Sequence, residues 1–178
     1  MEYVLLMRGI NVGGNRRVVM AELRDWLTAA SAENVKSYIN SGNLLFSYQG
    51  DAHEMVDQVL AQHYDFEITH AVIAAQDYLA EVNAAPEWWR TDKEGRYNAL
   101  FKLPGYQPEY DQLIEDKRSD YDEVVFTSHV IFWRTPTQIN YSRSFFAKML
   151  SEPFYPVVSI RNRNTTLKLA RMIEERMS

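Results

Sequence analysis

The sequence contains no cysteine in its 178 residues. Disulfide bonds, thiol catalysis and metal sites built on cysteine are therefore excluded. No run approaches the roughly 20 apolar residues of a membrane-spanning helix. The amino-terminal stretch does not resemble a secretory signal, because Arg8 interrupts its only apolar run. We expect a cytoplasmic protein without a membrane partner.

Recognisable catalytic and metal-binding patterns are also missing. The sequence has neither a Gly-x-Ser-x-Gly nor a His-Glu-x-x-His motif. Its four histidines, at positions 53, 63, 70 and 129, show no metal-ligand spacing with acidic residues. The sequence therefore predicts no metal and no cofactor, and it leaves open whether the protein is an enzyme.

Charge is unevenly distributed along the chain. The formal net charge is -5, yet the segment from Arg134 to Ser178 carries eight basic and three acidic residues. Nearby charges set the local potential more than distant, screened charges do. This distribution favours a compact anionic ligand over a long polyanion, which would need a broad basic face.

The first half of the chain alternates strand and helix patterns. Apolar residues at helical spacing predict helices over 19–30 and after Asp51, which forms a capping box with Glu54. The predicted strands are residues 3–7, 35–39, 44–46 and 68–74. The resulting order, βαββαβ, is the ferredoxin-like pattern.

The second half repeats this order without evident sequence repetition. The predicted strands are residues 98–103, 124–126, 130–133 and 157–160, and the predicted helices are 108–117, 142–150 with Ser142 as its cap, and a terminal helix from Asn164. The fold class is therefore α+β, with two ferredoxin-like lobes plus a carboxy-terminal helix. One continuous mixed sheet with helices is the alternative.

A break rich in proline, glycine and charge separates the two halves. We expect an amino-terminal lobe over 1–84, a linker over 85–97 and a carboxy-terminal lobe over 98–178. Two adjacent tryptophans, Trp88 and Trp89, lie in this linker. They either form a stacking platform or hold the linker against the core, and burial of large aromatic rings favours the second interpretation.

The loop over 8–17 is the strongest candidate for a binding site. Its glycines allow a close approach to a ligand, helix-entry amides attract anions, and Arg8, Arg16 and Arg17 supply cations. The alternative is a tight connection that needs small residues. The predicted ligand contacts in this loop are Arg8, Asn11, Gly13, Gly14, Asn15 and Arg16.

Two further segments contribute predicted contacts. Ser41 and Asn43 lie in a hairpin turn, whose composition a turn alone explains. We expect this turn and the 8–17 loop at opposite ends of the sheet. The remaining contacts are Arg143, Arg161, Asn162, Asn164, Thr165 and Lys168. Asn162 or Asn164 caps a helix, whereas the arginines indicate either an anion site or a salt-bridge network.

Three stretches together carry a resemblance to a known family. They are RGINVGGN at 8–15, YINSGN at 38–43 and RNRNT at 161–165, with MAEL at 20–23 and NALF at 98–101 between them. In this order they resemble the bacterial domain-of-unknown-function 1697 family over nearly the whole chain. The resemblance implies a two-lobe α+β fold and no established activity. The family pattern usually has a tryptophan where this sequence has Arg163.

Three functions are compatible with these patterns. The first is a protein that binds a small phosphorylated or carboxylated ligand between its lobes through the glycine and arginine loops. The second is a nucleic-acid module that uses an open sheet face, as ferredoxin-like RNA binders do. The third is a non-catalytic homodimer or interaction protein whose exposed sheet meets a partner.

Overall fold

The computed structural model describes all 178 residues. Its internal contacts divide the chain into two compact units, which we describe separately. The first unit contains residues Met1–Leu79 and Leu169–Ser178, and the second contains Ala80–Lys168. The lobe boundaries expected from the sequence, at 84 and 98, stay a prediction.

The first unit contains a four-stranded antiparallel sheet. Its strands are β1 (Glu2–Met7), β2 (Glu33–Tyr38), β3 (Asn43–Ser47) and β4 (His70–Ala74), and its first two helices are α1 (Met20–Ala29) and α2 (Ala52–His63). The strand order is β2-β3-β1-β4. This is the βαββαβ arrangement predicted from the sequence.

One face of this sheet packs against α1 and α2. Alternate residues of the central strands, such as Leu5 and Phe46, form a buried cluster with Leu23 and Val56 of the helices. The predicted cap of α2 is confirmed, since Asp51 Oδ1 accepts a hydrogen bond from Glu54 N at 3.0 Å. Burial of the helical stripes thus fixes both helices on the same side.

The other face is buried as well. Val4 and Leu6, which alternate with the helix-facing residues of β1, are fully buried. On this face Arg176 of α5 (Arg163–Met177) donates to Glu2 at 2.7 Å. Burial tends to raise the pKa of Glu2, but hydrogen bonds from Ser47 and Arg176 outweigh it, so that this pKa is lowered.

The second unit has the same topology. Its strands are β5 (Arg96–Lys102), β6 (Glu123–Phe126), β7 (Val130–Thr135) and β8 (Val158–Asn162), in the order β6-β7-β5-β8, and its full helix is α4 (Glu109–Lys117). A further helix, α3 (Ala75–Asn83), precedes this sheet in the chain. The two separate sheets confirm the two-lobe interpretation over a continuous mixed sheet.

Trp89 covers the second sheet on the face opposite α4. Its side chain is fully buried, its indole N–H donates to Asn98 O at 2.9 Å, and its ring packs edge-on against Phe132. The interpretation that the tryptophan pair holds its segment against the core is confirmed for Trp89. Consecutive residues of the central strands β1 and β5 are buried, so both faces of each sheet are covered. The open sheet face expected in the nucleic-acid and dimer hypotheses is therefore absent.

The helix predicted over 142–150 is wrong. Two short 3-10 segments, Tyr141–Arg143 and Phe146–Ser151, occupy this position. The amides of Phe145 and Phe146 donate to the carboxylate of Asp122, at 2.8 and 3.3 Å, instead of to a helical ladder. Ser142 therefore caps no α-helix.

Asp122 is a buried anion with an unusually complete set of donors. It is 1% exposed, and besides those two amides it accepts from Ser119 N, Ser119 Oγ and Trp133 Nε1 at 2.8 to 2.9 Å. A buried carboxylate is stable only when its oxygens are satisfied in this way. Asp122 thus ties the start of β6 to β7 and to the 3-10 segments.

None of the helices combines the length and the apolar composition that a membrane-spanning segment requires.

We expect Asp122→Ala to lower the free energy of unfolding by about 3 kcal/mol, because several buried donors lose their acceptor together. Urea unfolding monitored by circular dichroism measures this change. Asp120→Ala is the matched control, since Asp120 is an exposed acidic residue two positions away. Equal stabilities of the two variants would contradict the role assigned to Asp122.

Candidate functional site

The loop over 8–17 folds as a miniature hairpin. Asn15 N donates to Val12 O at 3.1 Å, which closes a two-residue turn. Gly13 and Gly14, the two central residues, have φ values of +60° and +77°. A turn with positive φ at both central positions is type I′, in which glycine is strongly preferred. The glycine pair is therefore explained by the turn itself.

Asn11 fixes this hairpin to the rest of the unit. Its side-chain amide donates to Val18 O at 2.9 Å and to Asn40 O at 2.8 Å. Its side-chain oxygen accepts from Val18 N at 2.8 Å. Asn11, predicted as a ligand contact, thus uses both polar atoms of its side chain to close the base of the loop.

The loop and the 40–43 turn lie at the same end of the sheet, so the expectation that they lie at opposite ends is wrong. Besides the Asn11 contact, Met7 N donates to Gly42 O at 2.8 Å. The reason is topological. Helix α1 forms a crossover connection from β1 to β2, so these two strands run in the same direction and their carboxyl ends lie at the same end of the sheet. A Cβ at Gly42 would lie 2.6 Å from that of Met7, which requires glycine there.

The predicted contacts in the 40–43 turn, Ser41 and Asn43, form hydrogen bonds that stabilise the turn itself. Asn43 is fully buried, and its side-chain amide donates to Tyr38 O and to Ser41 Oγ, each at 3.0 Å. Asparagine in such a position mimics a backbone turn. Asn43 therefore positions the hairpin.

A surface groove of about 440 Å³ lies between the hairpin loop and the start of α1. It is lined by Asn11, Gly14, Asn15, Arg17, Val18, Val19, Met20 and Asn40. Val19, the residue before α1, offers no side-chain cap to the helix. The first amides of α1 therefore lack a side-chain acceptor, and they carry the positive end of the helix dipole.

The three arginines of the loop differ in their surroundings. Arg17 is exposed at the groove, and its side chain forms no hydrogen bond or ion pair. Arg16 donates to Glu67 O at 3.2 Å and lies 5.9 Å from the centre of the Phe66 ring. Arg8 is half-buried, and its backbone amide donates to Thr69 O.

Arg17 and Asn40 also line the groove. Arg17 was predicted as a cation of the loop, and its position directly before the apolar stripe of α1 is the signal for a helix entrance. Asn40 was not among the predicted contacts. Asn40 lines the groove only because the 40–43 turn contacts the loop. This contact is between residues far apart in sequence, so no local sequence pattern predicts it.

In the second unit, the predicted contacts around β8 are mostly committed to internal bonds. Arg161 is 6% exposed and donates to Ser159 Oγ at 2.7 Å and to Ile160 O at 3.0 Å. Asn162 caps α5, because its side-chain oxygen accepts from Thr165 N at 2.8 Å. Of the two asparagines proposed as caps, Asn162 is therefore the one used.

Arg163 stacks on an aromatic ring. Its guanidinium carbon lies 3.8 Å from the centre of the Tyr97 ring. The same group donates to Trp89 O at 2.8 Å and to Thr91 O at 2.7 Å. A planar guanidinium can thus occupy a stacking position while its hydrogens satisfy backbone carbonyls.

The other predicted contacts of the second unit have no such bonds. Arg143 and Asn164 are exposed and Lys168 is half-buried, and their side chains form no hydrogen bond or ion pair. No three histidine, aspartate or glutamate side chains converge as metal ligands would. Of the predicted contacts, Asn11, Gly14 and Asn15 line one groove in the first unit.

Comparison with known proteins gives a family and a structural relative. A family model described as a protein of unknown function, DUF1697, matches residues 1–132. The structure is similar to that of the conserved bacterial protein SP0830 from Streptococcus pneumoniae, with a TM-score of 0.87 and 36% sequence identity. The similarity covers 97% of this chain and 98% of the other. No curated protein matches the chain.

We expect Asn11→Ala to lower the free energy of unfolding by about 2 kcal/mol, because three hydrogen bonds at the base of the loop are lost. The amide of Val18 should then exchange its hydrogen faster, as measured by hydrogen exchange with NMR detection. Asn15→Ala, in the same loop but without a side-chain hydrogen bond, is the control. Unchanged protection of Val18 in Asn11→Ala would contradict this account.

Proposed function

The chain belongs to the DUF1697 family of proteins of unknown function, and we propose that its first unit binds a small phosphorylated or carboxylated ligand in the groove at the start of α1. The observation that carries this proposal is Arg17, an exposed cation without an internal partner beside an uncapped helix terminus. Both features attract negative charge, and both line the same groove.

The donors of the groove suit a compact anion. The amides at the start of α1 point outward from the helix end, and the helix dipole places partial positive charge there. Arg17 adds up to two parallel N–H donors, which match the geometry of a carboxylate or phosphate. Together they offer positive charge and directed hydrogen bonds. Because Arg17 forms no ion pair, no internal pair has to be broken before a ligand binds.

The corresponding corner of the second unit supports this interpretation by contrast. There Lys102, at the end of β5, pairs at 3.1 Å with Asp111 in the first turn of α4. Tyr106 also donates to Asp111 at 2.6 Å, and burial together with this carboxylate raises the pKa of Tyr106. In the second unit this corner therefore already contains an internal anion, Asp111. In the first unit Arg17 forms no ion pair.

The size of the groove and the charge of its surroundings favour a small ligand. A volume of about 440 Å³ lies in the range of small-molecule sites. Residues 1–90 carry six basic and twelve acidic residues. A long polyanion would meet repulsion outside the groove, whereas a compact anion contacts only its local positive field.

We expect Arg17→Ala to weaken binding of such a ligand about tenfold, because one charge-assisted contact is removed. Isothermal titration calorimetry with inorganic phosphate, small dicarboxylates and sugar phosphates measures the dissociation constants. Arg171→Ala is the matched control, since Arg171 is another exposed arginine of the first unit without an ion pair. Binding should also weaken as ionic strength rises.

The proposal fails if no small anion binds the folded protein at low salt. It also fails if Arg17→Ala and Arg171→Ala bind a ligand equally well, because the contact would then lie elsewhere. Arg8→Ala, tested in parallel, separates a contribution of Arg8 from that of Arg17.

A further inference from the structure

His129 and Glu81 form a pair on the surface of the second unit. His129 Nδ1 lies 2.8 Å from Glu81 Oε1, and the side chains are 69% and 13% exposed. An ionised carboxylate only accepts hydrogen bonds, so the proton of the neutral imidazole lies on Nδ1. The lone pair of Nε2 is therefore directed away from the pair, on a largely exposed ring.

The surrounding turn holds both partners in place. Thr127 Oγ1 donates to the second oxygen of Glu81 and accepts from Val130 N at 3.0 Å. Lys102 N donates to His129 O at 2.8 Å, which connects the turn to β5. The carboxylate is thus fixed by a second hydrogen bond, and the histidine backbone is anchored to the sheet.

The other three histidines lack this combination. Both ring nitrogens of His70 are engaged, one at 2.7 Å from Ile68 O and the other at 2.8 Å from Asp57. His63 stacks on Trp26, with the ring centres 3.9 Å apart.

His53 is exposed but has no carboxylate partner. Only His129 therefore combines an oriented ring with an exposed Nε2.

We propose that His129 accepts a phosphoryl group on Nε2 from a small activated donor, an acyl phosphate or a phosphoramidate. The Nε2 lone pair attacks phosphorus, and the bond from phosphorus to the leaving group breaks with its electron pair. The leaving group departs as a carboxylate or, after protonation by water, as ammonia. The ring becomes a cation that keeps its proton on Nδ1, and Glu81 stabilises that cation.

Exposure favours this role over acid–base catalysis. A general base works best in a site from which water is excluded, whereas the His129 ring is largely solvated. A phosphoryl acceptor must instead be reached by a donor from outside. The half-buried Glu81 supplies what a nucleophilic imidazole needs, which is a fixed tautomer and a countercharge for the product.

The test uses the full chain incubated with potassium phosphoramidate. Phosphorus NMR and peptide mass spectrometry then report acid-labile phosphohistidine at each of the four positions. We expect His129 to react about tenfold or more faster than His53, the size of effect that an orienting partner typically has. His129→Gln should abolish this fast phase, and Glu81→Gln should slow it about tenfold.

Two results would overturn the proposal. One is an equal rate at His129 and His53 in the native chain, a comparison that needs no variant. The other is an unchanged rate in a folded Glu81→Gln protein. Neither result depends on the anion groove of the first unit, so this proposal and the proposed function succeed or fail separately.

Discussion

The candidate groove of the first unit depends on the side chain of Asn11. Its three hydrogen bonds join the hairpin loop, the segment entering α1 and the 40–43 turn. A glycine-rich loop would otherwise lose much conformational entropy on ordering around a ligand. Because Asn11 has already fixed the loop in the folded protein, the ligand that we propose for this groove would meet an organised site.

The two units show how one topology acquires different chemistry. Their sheets have corresponding strand orders, and each unit has a corner where a loop, a hairpin turn and a helix start meet. In the second unit, Lys102 and Asp111 neutralise each other at that corner, and the pair of Glu81 and His129 lies at the adjacent turn. In the first unit, Arg17 remains without a partner. The fold provides the position, and individual side chains decide its charge.

Local sequence patterns predicted the βαββαβ order of the first unit, the cap of α2 and the two-lobe architecture. They did so because apolar periodicity and capping chemistry act between near neighbours. The helix predicted over 142–150 does not form because of a contact that is distant in sequence. Asp122 accepts hydrogen bonds from two backbone amides of this segment, more than 20 residues away. For a similar reason, the sequence could not distinguish Arg17 from Arg8 and Arg16. Whether an arginine is paired depends on tertiary contacts, and these also committed Arg161 and Arg163 to internal bonds.

The start of α1 in the first unit is the proposed anion site. The most direct measurement is an NMR titration of the nitrogen-15 labelled protein with inorganic phosphate, which follows every backbone amide. The account predicts saturable shifts of Gly14, Asn15 and Met20, with Glu109 and Tyr110 at the start of α4 unaffected. Shifts centred on α4, or none at Gly14 and Met20, would contradict it.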